Sequence, residues 1–281
     1  MQIIESSAHI LKQIDVNEHI AKCARICYNS KTNENCKNFV NAKIEQGHLS
    51  ILRHGSIYAI VANTYSNYNI IKDYANCPYI DFIADKYNYY IATNMQFYYE
   101  NRNNPIGEVI SKYRVSGDYF YNTAIGFKLM RYTIVCETQI STSREFNRTS
   151  PNAICEQSTR YVEENGTIIR PWWMTKEIAD KINKNDYKGI NIENKIYIDT
   201  CINSFKNYNY LIYNCDMRKE DARGILPLDT YTKVVYTYSI NEWKHIFDLR
   251  YFAKTGRPHP NAKILAKLIK DELEQLGYEF K

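Results

Sequence analysis

The run REFNRTSPNAICEQSTRYV, residues 144–162, sets Arg144, Arg148 and Arg160 close to Glu156 and Ser158. Arginine offers a planar fork of N–H donors that fits phosphate and carboxylate, and it stays charged even when partly buried. A hydroxyl and a carboxylate beside such forks add a rotatable donor and a strong acceptor. If the chain is extended there, Glu156, Ser158 and Arg160 project to one side, because side chains alternate along a strand. Further along, Arg223 and Arg250 each fall beside a predicted helix end or turn, where they can converge on the same anion. A single arginine usually makes a surface salt bridge of little energetic weight, so it is the grouping that points to an anionic ligand. The run holds no glycine-rich phosphate loop, no metal-ligand spacing and no nucleophile–base pair.

The elements that must position these residues follow from the apolar pattern. In VNEHIAKCARICYNS, Ile20, Cys23, Ala24 and Cys27 recur at helical spacing, and KNFVNAKIEQG repeats the pattern until Gly47 stops it. The first fifty residues thus read as two helices. SIYAIVA (56–62) reads as a strand, and YYIATNMQFYYEN (89–101) as a strand passing into a helix within an otherwise irregular 63–127. KLMRYTIVCETQI (128–140) reads as a second core strand, followed by a helix over STSREFNR with Ser141 or Ser143 as its N-cap and Glu145 in its first turn. Pro151 is expected to turn the chain, which makes the rest of the motif a loop. NKIYIDTCINSFKNYNYLIYNCDM has the length of a long helix, TKVVYTYS reads as a third strand, and INEWKHIFDLRYF and ILAKLIKDELEQL read as amphipathic helices. Few strands and several helices give an α/β or α+β class, with all 281 residues in one domain and a variable insertion around 63–127.

Composition excludes several classes. The chain is 44% hydrophobic and 24% charged, which is ordinary for a globular protein and argues against disorder. A net charge of +5 suits small anionic ligands and falls short of a dedicated nucleic-acid binder; no RNP-like interleaving of aromatic and basic residues is visible, so no nucleic-acid partner is expected. The 26 tyrosines accompany many Asn, Lys and Ile residues, all with AT-rich codons, so genome composition accounts for them. No run approaches the roughly 18 apolar residues of a membrane span, and the N-terminus has no basic-then-apolar signal, so a cytoplasmic protein without a membrane partner is expected. The eight cysteines include no CxxC pair. Cys23 and Cys27 share a helix face without a second pair to complete a zinc site, and read as reduced thiols.

RTSPNAICEQSTRY, from Arg148 to Tyr161, resembles the signature of the flavin-dependent thymidylate synthases, RHRxxxxxxxS continuing into T-R-Y or G-R-Y. Arg148 takes the first Arg of that pattern, Ser158 the Ser and Arg160 the closing Arg. Three more segments resemble the family in the same order: GHLSILRHGSIYAI (47–60) its G-H-E-S-x-L-E-H stretch, DARGILP its A-R-x-x-L-P segment, and NEWKHIFDLR the helix ending in L-R, with His259 and Pro260 fitting the continuation. The resemblance implies a central, mostly antiparallel sheet with flanking helices, assembled as a homotetramer whose sites are shared between subunits. It implies conversion of dUMP to dTMP, with methylene-tetrahydrofolate as carbon donor and NADPH reducing bound FAD. Without an enzyme thiol as nucleophile, such chemistry leans on placed charge and on the cofactor.

Carried over by position, Arg250 matches the arginine that favours ionisation of the pyrimidine. Arg160 and Arg223 match phosphate and nucleotide contacts, with Glu156, Gln157, Ser158 and Thr159 just before Arg160 also on the dUMP side. Glu145, Phe146, Asn147 and Arg148 match the segment lining the nucleotide from a neighbouring subunit. On the flavin side stand His48, Ser50, Arg53, Arg148, Thr149, Ser150, Glu156, Ser239, Asn241 and His245; His54 reads as a structural histidine.

The sequence departs from the family in its most diagnostic motif. Thr149 replaces the His, Ser150 the second Arg and Ala153 a Ser, while Arg53 stands where a Glu is usual. A cation lost at 150 and gained at 53 implies a charge swap, with Arg53 reaching the flavin in place of the missing guanidinium. The competing reading is a nucleotide-binding paralogue whose flavin chemistry is lost or altered.

Overall fold

Among the described residues, strands fall into two antiparallel sheets, each of four strands, and one short parallel pair. The structure, a computed structural model, describes residues 1–30, 35–149 and 153–281. Its strands are β1 (Gln2–Ile4), β2 (Ser7–Ile10), β3 (Ser56–Ala62), β4 (Ile80–Ala84), β5 (Asn88–Asn94), β6 (Arg114–Val115), β7 (Arg131–Gln139), β8 (Ala153–Glu156), β9 (Thr167–Ile169) and β10 (Tyr231–Ser239). The first sheet runs β2-β7-β10-β8 and the second β4-β5-β3-β6, while β1 pairs with β9.

β10 is buried along nearly all its length because it has a strand on each side and packed elements on each face. Its pairing with β7 fixes which side chains share a face: Ile134 lies opposite Tyr236 and Cys136 opposite Val234, whereas Thr133 lies opposite Thr237 and Val135 opposite Val235. The first face packs Ile134, Tyr236 and Tyr238 against Trp243, Ile246 and Phe247 of the helix Ile240–Arg250 and Leu265 and Ile269 of the helix Pro260–Glu274. Trp243 is fully buried and donates its indole N–H to the Tyr132 carbonyl at 3.3 Å, so truncation to Ala costs about 3–5 kcal/mol.

The opposite face is partly polar. His19, from the helix Val16–Arg25, meets the Thr133 hydroxyl at 2.8 Å; Thr133 meets Thr237 at 2.7 Å, and Thr237 meets His54 at 2.8 Å. Burial lowers the His19 pKa to about 4 and that of His54 to about 3, so both rings are neutral and each hydroxyl in the chain donates once and accepts once. His54 is the hydrogen-bonded structural histidine that the sequence suggests.

Several expectations are corrected. Two short strands, β1 and β2, precede the two N-terminal helices. The 63–127 stretch is regular: β4, β5 and β6 build the second sheet around β3, helped by helices at Tyr65–Ile71, Met95–Asn101, Pro105–Lys112 and Gly117–Tyr121. The helix after β7 spans Ile140–Phe146 with Gln139 as N-cap, not Ser141 or Ser143, which places Glu145 in its last turn. The chain beyond it returns as β8, an edge strand on β10, rather than as a loop. Pro151 lies outside the described residues.

Candidate active site

Strand alternation in β8 aims Glu156 at the same face as Val234, its partner on β10. There the carboxylate collects three donors. Ser143 Oγ donates to Glu156 Oε1 at 2.6 Å, Thr232 Oγ1 to the same oxygen at 3.1 Å, and Asn147 Nδ2 to Oε2 at 3.0 Å. Tyr236 then donates to Asn147 Oδ1 at 3.0 Å, which fixes the amide orientation. Three elements thus meet at one half-buried charge, and charge-assisted bonds of this kind are about twice as strong as neutral ones.

Extended backbone ends with Glu156, so the expected one-sided array of Glu156, Ser158 and Arg160 does not form. The Ser158 carbonyl accepts from the N–H groups of Tyr161 and Val162, turning the chain at Thr159 and Arg160. Gln157 donates its amide to the buried Glu164 at 3.5 Å, and desolvation raises the Glu164 pKa to about 7. Arg160 and Arg223, both exposed, bracket Glu220: Arg160 Nε and Nη2 reach Glu220 Oε2 at 2.9 and 2.8 Å, and Arg223 Nε donates to the Glu220 carbonyl at 3.1 Å. Arg223 Nη1 also donates to Thr159 Oγ1 at 3.0 Å. The two guanidiniums are therefore gathered at one surface residue, Arg160 on the Glu220 carboxylate and Arg223 on its backbone carbonyl, and the exposed Arg160 pair is of low cost to replace by another anion.

Arg250 ends the helix Ile240–Arg250 and donates from Nη2 to the Glu145 carbonyl at 2.7 Å. Its Nε is buried without a hydrogen-bond partner among the described residues. This joins Arg250 to the Glu145–Asn147 segment and, through Asn147, to Glu156. Phe146 is buried and packs its ring near Tyr236, so it supports the segment rather than facing outward. Arg148 is exposed, and Thr149 donates its hydroxyl to the Phe146 carbonyl at 2.6 Å. Ser150 lies outside the described residues.

The remaining candidates form two groups. His48, Ser50 and Arg53 sit at and within the 3-10 helix Leu49–His54, which packs against β8. His48 and Ser50 are exposed; Arg53 donates to Gln96 Oε1 at 2.7 Å and lies over the Tyr79 ring. Ser239 is the buried N-cap of the helix Ile240–Arg250, its hydroxyl and N–H both engaged with Glu242 in a capping box. Asn241 and His245 lie one turn apart on the exposed face of that helix, and Asn241 is about 14 Å along the axis from Arg250.

Sequence reasoning missed Ser143, Thr232, Tyr236 and Glu220. Thr232 and Tyr236 carried a signal, since they are the polar even-numbered positions of a strand whose Val234 is apolar. Ser143 and Glu220 carried none. Among the described residues no cluster of three or more His, Cys, Asp or Glu is placed to hold a metal ion, and no helix is long and apolar enough to cross a membrane. An anionic cofactor or nucleotide fits this donor set: an orphaned guanidinium N–H on Arg250, exposed Arg148, and the exposed His48 and Ser50 beside β8.

Comparison with known proteins gives two positive results. Two crystal structures of the UMP/dUMP methylase PolB from Streptomyces cacaoi, bound with 5-Br dUMP and with 5-Br UMP, are similar at 13% identity and a TM-score of 0.46 each, covering 98% of this chain and 93% and 92% of theirs. No curated protein sequence matches. The model of the thymidylate synthase complementing proteins matches residues 123–276, more than half of the chain, which takes in Glu145 through Arg250 and leaves out His48, Ser50 and Arg53. The chain therefore belongs to the thymidylate synthase complementing protein family, the flavin-dependent thymidylate synthases that its motifs resemble.

Proposed function

We propose that this protein makes dTMP from dUMP, taking the carbon from methylene-tetrahydrofolate and the reducing equivalents from NADPH through bound FAD. The observation that carries this reading is Arg250: a half-buried guanidinium whose buried Nε–H is orphaned among the described residues, held by Glu145 beside the Glu156 network. Such a group stabilises negative charge building on a pyrimidine ring and has no proton to lose. Arg160 and Arg223 take the substrate phosphate, which replaces the Glu220 carboxylate on Arg160, with Ser158 and Thr159 adding hydroxyls. Glu156 and Gln157 orient the nucleoside, and Glu145, Phe146, Asn147 and Arg148 line its other side.

His48, Ser50, Arg53, Arg148, Thr149, Ser150, Glu156, Ser239, Asn241 and His245 are assigned to FAD. When bound, the reduced flavin supplies the electrons that complete the methyl group. The exposure of His48, Ser50, Arg148, Asn241 and His245 suits contacts completed across subunits of a homotetramer in a cytoplasmic enzyme. Arg53 stands in for the missing guanidinium of the RHR motif, so Arg53→Glu is expected to weaken FAD binding in purified protein. Unchanged affinity would remove the charge swap from the account.

One observation favours a second reading. The Thr149 hydroxyl is spent on the Phe146 carbonyl at the end of the helix, where the family pattern has a histidine. Under that reading the chain binds deoxynucleotide without flavin chemistry. The visible absorbance of the purified protein separates the two. A yellow protein that binds dUMP fits the synthase, whereas a colourless one that binds dUMP and refuses added FAD is the paralogue.

A further inference from the structure

β8 is the edge strand of its sheet, so every second N–H points away from β10 and needs a partner. Gln157 N–H bonds inward to the Lys233 carbonyl. The outward N–H groups of Glu156 and Ser158 are both taken by one residue, Cys27, in the 3-10 turn Ile26–Tyr28 that follows the helix Val16–Arg25. Its carbonyl accepts from Ser158 at 3.0 Å, and its sulfur accepts from Glu156. Because strand alternation sends Cys155 to the face opposite Glu156, the Cys155 thiol reaches Cys27 and donates a hydrogen bond to that same sulfur. Cys23, Cys27 and Cys155 share one apolar cluster with Val235.

The three thiols differ in environment. Cys23 is fully buried, and desolvation alone raises its pKa, so it is inert. Cys155 is almost as buried, and its proton is held by Cys27. Cys27 is half-buried; the Cys155 hydrogen bond, aided by the Glu156 N–H, outweighs burial and lowers its pKa to about 7. A half-buried, acidic thiol against a fully packed second thiol is the arrangement of a peroxide-sensing cysteine with its resolving partner.

We propose that Cys27 and Cys155 are a peroxide-modified dithiol built into the back of the nucleotide-binding motif. The Cys27 thiolate attacks a peroxide oxygen; the S–O bond forms as the O–O bond breaks, leaving Cys27 as a sulfenic acid and releasing one water. The Cys155 sulfur then attacks the Cys27 sulfur, the S–S bond forms and the S–O bond breaks, releasing a second water. Two thiols give up two electrons and two protons in all, and hydrogen peroxide is reduced to two waters. Closing the sulfurs from hydrogen-bonding contact to about 2.05 Å shifts the Ile26–Tyr28 turn against β8 and takes from Glu156 N–H its acceptor. Displacement of about 1 Å in a positioning segment is enough to lower turnover or affinity by an order of magnitude or more. This consequence for dUMP rests on the function proposed above; the disulfide itself does not.

The test treats the reduced full-length chain with hydrogen peroxide, alkylates the remaining thiols and maps the products by mass spectrometry, with dUMP binding measured before oxidation, after it and after dithiothreitol. The expected result is a Cys27–Cys155 crosslink with Cys23 still alkylatable only after unfolding, and a loss of dUMP affinity of about tenfold that dithiothreitol reverses. Cys155→Ala is expected to stop at a dimedone-reactive Cys27 sulfenic acid, and Cys27→Ser to leave Cys155 reduced. Peroxide that spares Cys27, or crosslinks other pairs instead, overturns the dithiol. A crosslink that forms without changing dUMP binding overturns its link to the motif. If even the reduced chain fails to bind dUMP, the proposed function fails while the mapped crosslink still decides the dithiol.

Discussion

The two ends of the nucleotide motif are built differently. Glu156 at the inner end is held by Ser143, Asn147 and Thr232, with Tyr236 behind Asn147, and its backbone is clamped between β10 and Cys27. Arg160 at the outer end is exposed and shares the Glu220 carboxylate with Arg218, while Arg223 holds the Glu220 carbonyl. The inner end is fixed before any ligand arrives, as electrostatic preorganisation requires. The outer end is a gathered but exchangeable pair of cations, suited to capturing a mobile phosphate. Chemistry should therefore depend steeply on the inner end and binding more gently on the outer one.

The largest effect is expected from Arg250→Ala, which removes the half-buried guanidinium: kcat falls about 1000-fold in the dTMP-forming assay, and Arg250→Lys does not restore it because a point charge lacks the fork. Glu156→Gln comes next. Its amide brings donors where Ser143, Thr232 and Asn147 already donate, so kcat/KM falls about 100-fold, while Thr232→Val, which removes one donor, costs about tenfold. At the outer end, Arg160→Ala or Arg223→Ala raises KM for dUMP about tenfold with kcat within about twofold, and the native KM rises with salt. Glu220→Gln removes the carboxylate that Arg160 shares with Arg218, frees Arg160 and lowers KM by about twofold. If the outer mutants instead lowered kcat as far as Glu156→Gln does, the two ends would not differ in the way proposed.

The smallest effect is on stability and comes from beneath the middle of the motif. Glu164 has its pKa raised from 4.5 to about 7 by burial, with Gln157 as its neighbour. Between those values the unfolded chain releases the proton and the folded chain keeps it, so Glu164 costs stability as pH rises through that window. Glu164→Gln should therefore raise Tm by about 3 °C at pH 8 and leave it nearly unchanged near pH 4.5. The buried histidines act with opposite sign. His19 and His54, lowered to about 4 and 3, take up protons in the unfolded chain first, so stability is lost as pH falls below 6.5.

Sequence pattern found what depends on local composition. SIYAIVA coincides with β3, YYIATNMQFYYEN passes from β5 into the helix Met95–Asn101, and the long helix appears at Ile192–Tyr213. Dense β-branched and aromatic runs of seven to nine residues are strong strand signals. β1, β2, β8 and β9 have only three or four residues each and owe their geometry to a neighbouring strand, so nothing local marks them. Of the candidate site, the charged residues stand out in the sequence because their types and order follow a family pattern. The hydroxyls that wire Glu156, the Glu220 carboxylate and carbonyl that hold Arg160 and Arg223, and the Cys27–Cys155 contact across 128 positions are products of sheet register and helix placement.

The most direct test is tritium release from carbon 5 of labelled dUMP by the purified protein supplied with FAD, NADPH and methylene-tetrahydrofolate, run beside Arg250→Ala. Native protein should release tritium in step with dTMP formation, and Arg250→Ala should bind dUMP but release almost none. A native protein that binds both dUMP and FAD yet neither releases tritium nor forms dTMP would contradict the account.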